Sequence, residues 1–154
     1  MEYGSIEREI HIEASPEVVF EVLSRPEHVR EWWSDEAEFA TEPGGEGRLG
    51  FGDARQGDMT WQAFSVVEAE PPHRFAFRWT HDDGAAPTQQ NSFLVVFTLE
   101  RVGEGTLLRM TESGFRERGW DEAKAALEHS EHVTGWDYYL PRLVSYAAEV
   151  GAQA

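Results

Sequence analysis

Glu112 is the residue whose position most invites chemistry. It shares its alternation with Leu108 and Met110, so its carboxylate is expected to face inward near the end of a strand. An inward carboxylate must be paired or hydrogen-bonded to be tolerated. It would then anchor a ligand or act as general acid or base. The plainer role is structural, as partner to Arg48, Arg55 or a helix-terminal amide. His129 and His132 stand at a helical spacing that can turn two imidazoles toward one ion. They lack a third spaced ligand, and with Glu128 they fit a solvated helix start, so no metal is expected. Tyr139, His73 and Arg109 could steer a reactive molecule, but nothing ranks them, and no catalytic residue is assigned. Gly-x-Ser-x-Gly, His-Glu-x-x-His and Walker patterns do not occur, and there is no cysteine. No cofactor is expected.

The larger chemical resource is aromatic. Trp33, Trp61, Phe77, Trp79, Phe93, Phe97, Met110 and Trp136, with Tyr139, Leu140 and Leu143, come from segments that should converge. Rigid rings around a long helix tend to leave a void that a small ligand fills. Together with Glu112 they form the expected ligand-binding set. At Trp61 the alternation competes with Phe64 and Val66, and a bulge would exchange the two faces.

The elements that must position these groups follow from periodicity. In Glu131 to Val150, Val133, Trp136, Leu140, Leu143, Val144, Ala147 and Val150 recur at three- and four-residue steps, predicting an amphipathic helix. At 1.5 Å per residue it spans about 30 Å, the width of a small domain. Ser5 to Glu13 alternates as a first strand. Ala14-Ser15-Pro16-Glu17 and Ser24-Arg25-Pro26-Glu27 carry helix-start signals, predicting two short helices. From Glu36 to Glu112 about six strands follow, broken at Pro43-Gly44-Gly45, Gly52 to Asp58, Pro71-Pro72, His81 to Asn91 and Gly103-Glu104-Gly105. Trp120 to Glu128 reads as a short helix or turn before the long one. One helix cannot cover a flat sheet of this size, so the sheet must curl around it.

Composition limits the partners. The 154 residues are expected to form one domain over 1-154, and 29 acidic against 13 basic residues give a formal charge of -16. Such a charge repels phosphate backbones and anionic lipid, so neither nucleic acid nor membrane is expected as a partner. With no long apolar run, the chain is expected in the cytoplasm.

The order of elements, with Ala14-Ser15-Pro16-Glu17-Val18-Val19-Phe20, Trp32-Trp33, Pro43-Gly44-Gly45, Pro71-Pro72-His73-Arg74 through Trp79, Thr111-Glu112-Ser113-Gly114-Phe115 and Gly135-Trp136, resembles the helix-grip superfamily. That superfamily holds START-like lipid-transfer domains, polyketide cyclases and pathogenesis-related allergens. Within it the chain is most similar to bacterial homologues of the C-terminal domain of the 90-kDa heat-shock-protein ATPase activator. The resemblance implies an α+β fold, a curved seven-stranded antiparallel sheet around the C-terminal helix with a cavity between them, and no shared catalytic residue. The expected function is binding of an apolar, aromatic or lipid-like small molecule without a dedicated catalytic machine. A cyclase-, dehydratase- or hydrolase-like enzyme in the same cavity is the alternative, and a co-chaperone-like interaction module using a rim at Trp32 and Trp33 a further one. The namesake also uses a separate N-terminal domain, for which this chain is expected to have no room. A homodimer is left open.

Overall fold

The computed structural model describes residues 4–52, 57–80, 87–88 and 91–153. In chain order the elements are β1 (Ser5–Ile12), α1 (Pro16–Ser24), α2 (Pro26–Trp32), β2 (Glu36–Phe39), β3 (Glu46–Phe51), β4 (Thr60–Glu70), β5 (Arg74–Trp79), β6 (Phe93–Val102), β7 (Gly105–Ser113) and α3 (Glu122–Gln153). The seven strands pair antiparallel in the order β1-β7-β6-β5-β4-β3-β2 and curl around α3, which gives an α+β helix-grip fold.

Local chemistry explains the helix starts. Ser15 Oγ accepts the Val18 N–H at 3.2 Å, and Pro16 follows in the first turn. The second start works differently from the expected capping. Ser24 closes α1 by donating its hydroxyl to the Phe20 carbonyl at 2.7 Å, and Arg25 has no side-chain cap bond. What opens α2 is Pro26, which forces Arg25 into the extended backbone (φ -100°, ψ 129°) that precedes a helix.

The long helix begins earlier than its apolar stripe. The segment expected as a separate turn and the expected Glu131 to Val150 helix are one element of 32 residues, running through Pro141. Asp121 Oδ1 accepts the Lys124 N–H at 2.8 Å and caps it. Its first turns carry Ala, Glu, Lys and Leu, good helix formers, but bury no continuous face, so propensity and the cap extend the helix where amphipathicity does not.

Alternation along the strands builds the core. Phe75, Phe77 and Trp79 of β5, Phe93, Val95, Phe97 and Leu99 of β6, and Leu108, Met110 and Glu112 of β7 are all buried, facing His132, Trp136, Leu140, Leu143 and Ala147 of α3. The outer face is solvated, with Arg109 bonded to Glu9 at 2.8 Å and Arg74 to Glu68 at 2.9 Å.

One strand carries a parity switch. On β4, Phe64 and Val66 pair with Trp79 and Phe77, whereas Ala69 pairs with Phe75, and the register slips between Val66 and Glu68. This bulge puts Gln62, Phe64 and Val66 inside. Trp61 is thereby corrected to the outer face, where the Arg48 guanidinium sits 3.7 Å from its ring centre.

Candidate functional site

Glu112 lies at the centre of the polar chemistry. It is fully buried, and three ring nitrogens converge on it. Trp79 Nε1 of β5 donates to Oε2 at 2.9 Å, and Trp136 Nε1 of α3 donates to Oε1 at 2.9 Å. His132 Nδ1 of α3 lies 2.7 Å from Oε1, a contact met by a proton on Nδ1. Indole N–H groups are donors alone, so both Trp bonds require acceptor lone pairs on the carboxyl group. The structural partners are therefore not Arg48, which pairs with Glu38 at 3.1 Å, nor a helix amide. Arg55 lies outside the described residues.

Above this carboxylate a pocket of about 400 Å³ opens to solvent. Trp33 beyond α2, Phe51 of β3, Thr60 and Gln62 of β4, Trp79 of β5, and Glu131, His132, Gly135, Trp136 and Tyr139 of α3 line it. Trp33 is the hub of the wall, with ring centres 5.2 Å from Trp79 and 5.4 Å from Trp136. Because the Trp79 and Trp136 nitrogens are spent on Glu112, those two walls offer hydrocarbon to the space between them. Gly135 contributes room: a Cβ built there meets nothing within 4 Å. Burial pushes the Tyr139 hydroxyl above its ordinary value, and the Asp35 carboxylate adds to that, so the phenol stays neutral.

Of the expected ligand-binding residues, the fold brings Trp33, Trp79, Trp136 and Tyr139 to the pocket, with Glu112 beneath. Phe77, Phe93, Phe97, Met110 and Leu143 lie behind the wall in the packed core. Leu140 borders a different groove, against Arg8 and Ile10 of β1. Trp61 is outside. Arg109 belongs to the outer face with Glu9 and Glu100, and His73 is an exposed turn residue. The two neighbouring imidazoles part company: His129 Nε2 lies 3.0 Å from the Ser5 carbonyl while His132 turns to Glu112. Among the described residues no group of three possible metal ligands occurs. Trp32 and Trp33 are 1% and 6% exposed, so they form no apolar rim.

Sequence reasoning missed Phe51, Thr60, Gln62, Glu131 and Gly135 as lining residues, and read His132 only as half of a metal-spaced pair. His132 was findable, since it stands four residues before Trp136 on the stride that continues to Leu140. Gly45-x-Gly47-x-x-Gly50 has the spacing of a dinucleotide loop, but Gly47 and Gly50 lie within β3 and β4 is the next described element, so it lacks the strand-to-helix turn of that motif.

A family model described as Activator of Hsp90 ATPase homolog 1-like protein matches residues 13–148. Among solved structures, a Nitrosomonas europaea protein is 14% identical with a TM-score of 0.75, covering 99% of each chain. The Aha1 dimer of Colwellia psychrerythraea is 22% identical with a TM-score of 0.71, over 94% of this chain and 96% of that one. DynU16, from the dynemicin biosynthetic locus, is 24% identical with a TM-score of 0.68, over 93% of this chain and 46% of its own. At these identities the likeness is one of fold. No curated protein matches, and no helix among the described residues is long and apolar enough to cross a membrane.

Proposed function

The chain belongs to the Activator of Hsp90 ATPase homolog 1-like family, and we propose that it binds a small, largely apolar aromatic molecule in the pocket between sheet and α3. The observation that carries this is the wall of Trp33, Trp79 and Trp136, two of whose indole nitrogens are turned away onto Glu112. A ligand there gains from burial and ring contact, not from charge. Burying ~200 Å² of apolar surface is worth about 5 kcal/mol, within the range that separates millimolar from micromolar binding. Native mass spectrometry of protein from its own host, followed by titration of the extracted molecule against tryptophan emission, tests this. Retention of no small molecule, with no aromatic probe altering the emission, would sink it.

An enzymatic reading has one observation in its favour: the Glu112–His132 contact of 2.7 Å at the pocket floor. A carboxylate that orients an imidazole is the ordinary way to prepare a general base. On this reading His132→Gln abolishes turnover of a bound ligand while its affinity is kept. Loss of both together favours plain binding. The interaction-module reading has no such support, because Trp32 and Trp33 are buried. For assembly we propose a homodimer, on the strength of the Colwellia dimer alone; a monomer mass in sedimentation equilibrium overturns it.

A further inference from the structure

Resting on that reading of the pocket, we infer that its ligand carries an aromatic hydroxyl and that Gln62 selects for it. Gln62 faces the pocket from β4, opposite Leu49 of β3, and is 5% exposed. Its Oε1 is buried and accepts from no donor among the described residues. The indole N–H groups of Trp79 and Trp136 are spent on Glu112, and His132 Nδ1 meets the same carboxyl group, so none of these three nitrogens serves Gln62. A buried carbonyl oxygen without a donor is costly, and a ligand that supplies the donor removes the cost on binding.

The chemical class follows from what surrounds that oxygen. Rotation of a terminal amide exchanges its oxygen and nitrogen, and a hydroxyl, which both donates and accepts, meets either arrangement. An ether accepts without donating, and a hydrocarbon does neither. Glu131 at the rim, Glu112 below and the formal charge of -16 disfavour a carboxylic acid in the same place. The ring walls require the hydroxyl to be borne on a flat aromatic body.

Tryptophan emission is titrated with 2-naphthol, 2-methoxynaphthalene and naphthalene, for the wild type, Gln62→Met and Gln62→Leu. The wild type is expected to bind 2-naphthol roughly three- to tenfold more tightly than the other two, the worth of one hydrogen bond. Both variants lose that preference, and both melt at or above the wild-type temperature because the stranded oxygen is gone. Equal binding of the three probes by the wild type overturns the inference and leaves the pocket reading standing. Persistence of the preference in the variants does the same. Failure of all three probes to bind overturns both. Should a variant not fold, the comparison of probes on the wild type decides alone.

Discussion

Trp79 of β5 donates its indole N–H to Glu112 of β7 at 2.9 Å, although β6 lies between their strands. Trp136 of α3 donates to the same carboxyl group from the other side. One acidic residue therefore ties the sheet to the helix at the floor of the pocket.

Replacing it exposes the weight of that tie. Glu112→Leu strands two buried indole donors and the His132 nitrogen, and is expected to cost about 3–5 kcal/mol. Glu112→Gln keeps the volume but turns an amide donor toward one of the three, costing about 1–3 kcal/mol. Urea unfolding measures both. A Leu variant as stable as the wild type would show that the network contributes nothing.

Gly135 separates stability from binding. It lies within α3 with open space where a Cβ would go. Gly135→Ala should stabilise the protein by roughly 0.5–1 kcal/mol, since alanine loses less backbone entropy in a helix. Gly135→Phe projects a ring into the pocket and should abolish probe binding with the far-ultraviolet circular dichroism unchanged. Binding that survives in the Phe variant would place the ligand elsewhere.

The two faces of the sheet are told apart by a pair of tryptophans. Trp61→Ala removes an outer ring and its Arg48 contact, expected to cost about 1 kcal/mol and to leave ligand affinity as it was. Trp33→Ala removes a ring packed on Phe51, Phe77, Trp79 and Trp136, expected to cost about 3–5 kcal/mol and most of the affinity. Equal effects on affinity would contradict the assignment of faces.

Alkaline pH probes two phenols. Burial raises Tyr139, with Asp35 adding to it, and burial raises Tyr146, with Glu31, Glu149 and Glu27 adding to it. In each the folded state holds the proton more tightly than the unfolded chain, whose value is near 10.0. Their contribution is present in full below that pH and is lost as pH rises through the raised folded value. Tyr139→Phe should therefore flatten the fall in stability above about pH 10. A pH–stability curve parallel to the wild type's would refute it.

Much of the fold was legible because it is written in short-range periodicity. The alternation of Phe93, Val95, Phe97 and Leu99, and the stride from Trp136 to Ala147, each place one side of an element in the core whatever it packs against. The start of α3 was not legible, since its first turns are held by an Asp121 cap and by propensity, without a buried stripe to mark them. Position of the site was legible only in part. Trp79, Trp136 and Tyr139 follow from parity and stride, whereas Gln62 was passed over for Trp61, because the alternation set by Phe64 and Val66 and the one that includes Ala69 disagree across the bulge at Val66/Glu68.

Local pattern thus determined most of what is inside, Trp61 and Gln62 excepted: the period of a strand or helix depends on its own few residues and on burial of one face. The partners of Glu112 are another matter. Trp79, Trp136 and His132 lie 33, 24 and 20 residues away from it in the chain, on two other elements. Strand register, the bulge in β4 and the curl of the sheet around α3 brought them within hydrogen-bond reach, and these are set by packing across the whole fold.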